Sequence, residues 1–255
     1  MAEVIIVADE EQAGALGAEA VAALVAWKPD AVLGVATGST PLPVYRALAA
    51  RSLDLSRVSA FALDEYVGLP LDAPQSYHSV IAREVTEPLG LDPARVHVPG
   101  EGPLEEAGEA YERDLRDAGG VDLQILGIGT DGHIGFNEPG SSLASLTRIK
   151  TLTEQTRRDN ARFFRSLEEV PIHCITQGLG TILRARHLLL LAFGEGKADA
   201  LAAAVEGPVS ARVPGSVIQL HPRVTVLVDD RAASRLEYAD YYRYAYANKP
   251  SWQPL

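Results

Sequence analysis

Two carboxylates and an imidazole fall within eight positions of one glycine-rich stretch, residues 127–140, which reads GIGTDGHIGFNEPG. Asp131, His133, Asn137 and Glu138 stand there among Gly127, Gly129, Gly132 and Gly135, which keep the stretch from being a helix or strand interior. An Asp, His and Glu set suits a proton relay. Imidazole titrates near neutral pH, and flanking carboxylates fix its tautomer and raise its basicity. The plainer alternative is a turn in which Asp131 makes an Asx-turn and His133 is a satisfied, half-buried side chain.

Other chemistry-bearing residues follow apolar runs. Residues 31–36 run straight into Thr37, Gly38, Ser39, Thr40 and Pro41. Thr40 suits an N-cap and Pro41 the first helical position. A strand, a Gly/Ser/Thr turn and a helix N-terminus together present free backbone N–H groups to a phosphate. Many α/β proteins cap helices this way without binding anything. Asp64 ends the apolar run 58–63, where a carboxylate reaches the crevice of a parallel sheet or simply opens a solvated loop. Arg158, Arg162 and Arg165 are spaced by four and three within 153–167, the spacing of one helix face, so an anion should offset them. Lys197 stands at the start of a helix running to residue 205. There it either reaches into solvent or meets an anion held at the same N-terminus.

The elements that must position these residues alternate along the chain. Short apolar runs at 4–7, 31–36, 58–63, 96–98, 121–126, 172–176, 187–193 and 224–228 read as strands. Helices are predicted at 9–27, 41–51, 76–89, 104–118, 153–167, 179–185 and 196–205. Asp9 with Gln12 marks a capping box. A mostly parallel sheet flanked by helices is the expected α/β fold, in one domain spanning 1–255. Tyr238, Tyr241, Tyr242, Tyr244 and Tyr246 mark a last helix that packs on the domain or on a neighbouring subunit.

Composition narrows the function classes. The 255 residues are 47% hydrophobic and 22% charged, with a formal net charge of −11, which argues against a nucleic-acid surface. No apolar run approaches a membrane span, and the start MAEVIIVADEEQ lacks the charged region of a signal peptide, so a cytoplasmic protein is expected. Cys174 is the only cysteine, which excludes an intrachain disulfide and a cysteine metal cluster. No second histidine stands at metal-site spacing from His133.

The strings LDEYVGL, GIGTDGHIGFNEPGSSL, RIKTLT with TRRDNARFF, and GKADALAAAVEGPV resemble the glucosamine-6-phosphate deaminase (isomerase) family, in order from about residue 32 to 222. The resemblance implies a Rossmann-like α/β fold, no metal and no cofactor. It implies conversion of glucosamine 6-phosphate and water into fructose 6-phosphate and ammonia. Asp64 would move a proton between C2 and C1, and His133 would assist ring opening, with Asp131 and Glu138 holding and tuning it. The phosphate would rest on Thr37, Gly38, Ser39 and Thr40, with Arg162 and Lys197 as cations. Ser39 departs from the glycine of many relatives. Some members are hexamers with an N-acetylglucosamine 6-phosphate site between subunits. Ser141, Arg148, Lys150 and Thr151 are compatible with such a second phosphate site, or are ordinary surface residues, and a homo-oligomer is expected. A sugar-phosphate lactonase of the 6-phosphogluconolactonase type is the alternative enzyme, which should lack FNEP after the histidine and the DEYVGL string. A sugar-phosphate sensor is the alternative of another class, which should have lost Asp64 or His133.

Overall fold

The computed structural model describes residues 2–253 and 255. Seven short apolar strands build one parallel sheet. They are β1 (Glu3–Val7), β2 (Val32–Val35), β3 (Ser59–Ala62), and, after the short β4 (Asp64–Tyr66), β5 (Val96–His97) and β6 (Leu123–Leu126). Past β7 (Arg148–Thr151) and β8 (His173–Thr176), the sheet is completed by β9 (Leu188–Ala192) and β10 (Val224–Asp229). The strand order is β1-β10-β9-β6-β2-β3-β5, and every pair is parallel. Strands β2, β6 and β9 are buried along their whole length, as apolar runs between two helical layers must be.

The helices are α1 (Glu10–Trp27), α2 (Leu42–Ala49), α3 (Tyr77–Ile81), α4 (Glu87–Leu89), α5 (Leu104–Asp117), α6 (Glu154–Asn160), α7 (Leu179–Ile182), α8 (Ala198–Val205) and α9 (Ala239–Ala247). Asp9 caps α1 by accepting from the Gln12 N–H at 2.8 Å, and Gln12 reaches back to the Ala8 N–H at 2.9 Å. Helix α2 starts later than expected. Pro41 stands at the cap position and Thr40 supplies no side-chain cap, which leaves residues 37–40 as an open turn. The helix expected over 76–89 is split by a π-helical turn at Ala82–Thr86.

Two departures bear on function. Strands β4, β7 and β8 form a separate antiparallel sheet in the order β4-β8-β7, and the sequence showed only β8 as a strand. Asp64 therefore opens a strand instead of a loop. The helix expected over 153–167 stops at Asn160 and tightens into a 3₁₀ turn, Ala161–Phe163. Asn160 turns its side-chain amide to the Tyr66 hydroxyl at 3.0 Å, and Phe164 packs edge-on against the Tyr66 ring. The cationic stripe expected of Arg158, Arg162 and Arg165 is thereby broken. Arg158 pairs with Glu154 at 2.5 Å on the exposed face of α6, and Arg165 lies past the 3₁₀ turn.

Candidate active site

All seven strands run the same way, so their carboxyl ends share one edge of the sheet, the edge where an α/β crevice forms. A cleft of about 880 Å³ lies there. Its lining comes from the segments that follow β2, β3, β6 and β9, together with α3, α6 and the 3₁₀ turn after it.

The segment after β6 is folded around its histidine. A Cβ on Gly129 would stand 2.2 Å from the His133 ring, so the imidazole lies where only glycine leaves room. The Gly129 N–H donates to the His133 carbonyl at 2.8 Å and closes the turn. Asp131 Oδ1 accepts from the His133 backbone N–H at 3.1 Å and engages the ring Nδ1 at 2.6 Å. The Asx-turn and the relay geometry thus coexist in one side chain. With Nδ1–H directed at the carboxylate, Nε2 is the ring nitrogen left to work on a substrate. Glu138 is buried. Its Oε1 accepts the Thr153 N–H at 3.0 Å, while Oε2 lies 3.8 Å from His133 Nδ1 and has no hydrogen-bond partner among the described residues.

These contacts separate the two acids. Burial pushes Asp131 upward, but the hydrogen bond and charge of His133 outweigh it and bring Asp131 down to about 2. Burial raises Glu138, and the Thr153 amide only partly offsets it. Two carboxyls whose environments drive them apart are the ordinary mark of divided acid and base duties. The ligand atoms of Asp131, His133 and Glu138 also lie within 4.8 Å of one another. A cation there would have to displace the proton between Asp131 and His133.

Asp64 approaches from the other sheet. It pairs with Thr176 across β4 and β8, and Gln177 fixes the junction by donating Nε2 to the Ala62 carbonyl at 3.0 Å and its N–H to Leu63 at 2.8 Å. The carboxyl is 6% exposed, lines the cleft and makes no hydrogen bond among the described residues. Burial first, then the neighbouring Glu65, raises it well above the usual carboxylate range. Gly135 makes room for it. Gly135 has φ +56, and a Cβ there would lie 3.0 Å from Thr176 Oγ1 and 3.5 Å from Asp64 Oδ2. Asn137, buried between the histidine and Glu138, donates Nδ2 to the Ile134 and Gln177 carbonyls and so ties this loop to β8.

Thr37, Gly38, Ser39, Thr40, Arg162 and Lys197 also line the cleft. Gly38 has φ +89, a backbone conformation that side chains rarely adopt and glycine takes freely. Lys197 is half-buried, and burial lowers its pKa against the pull of Asp159 and Asp131. Arg162 lies over the Phe163 ring at 4.8 Å. Thr130 Oγ1 holds Asp159 at 2.8 Å, which ties α6 to the histidine loop.

Sequence reasoning overlooked an aromatic wall. Tyr66, Tyr77, Phe136 and Phe164 line the cleft, with Tyr66 4.9 Å from Tyr77 and 5.5 Å from both Phe136 and Phe164. Tyr66, Phe136 and Phe164 sit inside motifs read only for their acids and cations, but nothing local in the sequence brings them to one another or to Tyr77. The residues considered for a second phosphate site lie apart from the cleft lining. Ser141 donates its hydroxyl to the Glu138 carbonyl at 2.7 Å, and Arg148 donates to Asn137 Oδ1 at 2.6 Å. Lys150 shares the Arg148 face of β7. Strand alternation puts Thr151 on the opposite face, where it meets His173 at 3.3 Å.

A parallel sheet with helices around it and a polar cleft at its carboxyl edge defines a Rossmann-like α/β protein. The family model for glucosamine-6-phosphate isomerases/6-phosphogluconolactonase matches residues 9–227, and the chain belongs to this family. It is similar to the glucosamine-6-phosphate deaminase of Bifidobacterium longum strain DJO10A, 61% identical over 270 aligned residues that cover 100% of both chains. The protein of the same name from Streptomyces avermitilis is 64% identical over 261 residues, covering 99% of this chain and 100% of that one. Among solved structures, a monomeric glucosamine-6-phosphate deaminase superposes with a TM-score of 0.89 at 41% identity, covering 91% of this chain and 99% of that one. The 6-phosphogluconolactonase of Thermotoga maritima matches with a TM-score of 0.72 at 24% identity, covering 90% and 99%, a likeness of fold alone.

Proposed function

We propose that this chain, acting as one domain over residues 1–255, is a glucosamine-6-phosphate deaminase that yields fructose 6-phosphate and ammonia. One observation carries the reading. Asp64 is a buried carboxyl with no hydrogen bond among the described residues, and it faces the same cleft as a histidine held by two acids. A base that removes a carbon-bound proton needs that poise, because a solvated carboxylate is too weak. The sequence relatives supply the substrate class.

The steps follow from the geometry. The phosphate rests on the turn of Thr37, Gly38, Ser39 and Thr40, and Arg162 and Lys197 offset its charge. That contact orients the reacting carbons. His133 Nε2 gives a proton to the ring oxygen and takes the proton of the anomeric hydroxyl, and the sugar opens to the C1 aldehyde. Asp64 takes the proton from C2 while His133 gives its proton to the C1 oxygen, which makes the enolamine, and Asp64 then delivers its proton to C1. The resulting C2 imine adds water and releases ammonia. Asp131 holds the His133 tautomer, and Glu138 stands 3.8 Å from the same ring nitrogen.

The test is ammonia release from glucosamine 6-phosphate, glucosamine and 6-phosphogluconolactone, each with and without EDTA. Ammonia should come from glucosamine 6-phosphate alone and be indifferent to the chelator. Hydrolysis of the lactone without ammonia release would replace this reading by the lactonase. Activity lost in EDTA and restored by a divalent ion would overturn the metal-free chemistry.

A further inference from the structure

Glu65 is a buried acid that the mechanism above leaves without a task. It follows Asp64 on β4 with its side chain on the other face of the strand, and it is as deeply buried as Asp64. Its carboxylate accepts three backbone N–H groups. Oε1 takes those of Tyr66 at 2.7 Å and Tyr77 at 2.9 Å, and Oε2 takes that of His78 at 2.8 Å. No cation pairs with it among the described residues. A structural anchor for a loop could be a neutral amide or a serine. A buried carboxylate is costly: burial raises the Glu65 pKa, and the three backbone donors, which favour its charged form, only partly offset that.

Those donors lie at both ends of residues 67–76, the segment that brings Pro74, Gln75 and then Tyr77 to the cleft wall. Tyr77 is thereby fixed with its ring against Tyr66 and Phe136, its hydroxyl 3.4 Å from that of Tyr66 and facing Thr37 of the phosphate turn. One carboxylate thus links the strand that carries the base to the wall that touches the phosphate turn.

Resting on the deaminase reading, we propose that Glu65 is a positioning residue for the proton transfer. It locks the Tyr77 wall in register with the base and, when ionised, sets a negative charge beside Asp64. The titratable groups near Asp64 are Glu65 on the opposite face of β4, Tyr66 on β4, Tyr77 on α3, Tyr111 on α5 and Cys174 on β8, with His133 across the cleft. Burial holds the three phenols and the thiol above their ordinary range, so they stay neutral where the enzyme would work. Glu65 is the neighbour whose charge opposes ionisation of Asp64. It makes the buried base stronger.

The sign of the expected effect follows. Glu65→Gln keeps the shape and two of the three backbone contacts but removes the charge, so Asp64 should ionise at lower pH and be a weaker base. The acid limb of the kcat/KM profile for glucosamine 6-phosphate should move down by roughly one pH unit. The plateau kcat should fall about tenfold, with KM changed less than about threefold. Glu65→Asp keeps the charge but draws it back from the amides. It should raise KM and lower kcat with the acid limb in place. Circular dichroism and Tm of each variant separate these effects from misfolding. A ¹³C-carboxyl NMR titration of Asp64 in the wild type and in Glu65→Gln reads the same coupling without turnover. An Asp64 titration unmoved by Glu65→Gln overturns the proposal. A shifted titration in a protein that releases no ammonia would instead retain the positioning role and discard the deaminase reading.

Discussion

A charged Asp64 weighs on the folded state, because burial raises its pKa far above that of the unfolded chain. The folded protein therefore holds that proton to higher pH than the unfolded chain does. Stability linked to this group is complete below the unfolded value, near 3.8, and is lost as pH rises through the raised folded value. Asp64→Asn removes the penalty and the base together. At pH 8 the variant should be more stable than the wild type by on the order of 1–2 kcal/mol, a Tm gain of roughly 2–6 °C. The gain should shrink toward pH 4, and deamination should be absent at every pH. Thermal scans at both pH values check the first part. For the second, solvent deuterium is followed into C1 of fructose 6-phosphate in the presence of ammonia. Asp64→Asn should show no exchange. His133→Gln should retain part of it, because the open-chain ketose already present bypasses ring opening. Exchange that survives in Asp64→Asn and vanishes in His133→Gln would exchange the two roles.

At the scale of elements, the cations proposed to meet the phosphate come from short, irregular pieces. Arg162 sits in a 3₁₀ turn on the exposed rim, whereas Lys197 ends a 3₁₀ turn and is half-buried. A cation already desolvated loses less when it meets an anion, so the two should differ. Lys197→Ala should raise KM for the phosphorylated sugar by roughly tenfold to a hundredfold, and Arg162→Ala by about tenfold or less. Steady-state kinetics on both variants decide it, and equal KM in wild type and Lys197→Ala would return that lysine to a solvent role. The same pieces show where the sequence was legible. The strands β2, β6, β9 and β10 are apolar and buried, so periodicity alone found them. Strand β7, RIKT, is half-buried with two cations, and β4, DEY, buries two acids, so neither carries an apolar signature. Tertiary hydrogen bonds to Glu65 and the sheet register made them strands. Helix periodicity likewise ran on past Asn160 in the sequence, because a side chain captured by Tyr66 from 94 residues away leaves no local trace. The histidine loop was legible because its glycines and acids are local. The aromatic wall was not, since its four rings come from β4, α3, the histidine loop and the segment after the 3₁₀ turn and meet only through packing.

On the scale of the whole molecule, the net charge of −11 leaves Arg162 and Lys197 as a local exception in the cleft they share with the turn of residues 37–40. The cleft depends on the carboxyl edge of the sheet, while the far end of the chain supports a different border. Strand β1 is an edge strand, paired only with β10, and α9 covers it. Tyr242 and Tyr246 pack against the core from α9, while Tyr238, Tyr241 and Tyr244 face solvent. Lys249 pairs with Glu3 at 2.6 Å and closes the sheet border from the last turn of the chain. Among the described residues, none from 239 to 255 lines the cleft. Deleting 239–255 should therefore strip two partly buried aromatic bodies and one ion pair from β1 without touching the chemistry. Area-based burial gives a loss of about 2–4 kcal/mol, or roughly 5–15 °C in Tm. At 15 °C, where the truncated protein still folds, kcat and KM for glucosamine 6-phosphate should match the intact chain within about twofold. Circular dichroism and the ammonia assay on the same sample measure both. A truncated protein that is folded yet inactive would mean that this tail completes the active site, and the tyrosines would then need a catalytic account in place of a structural one.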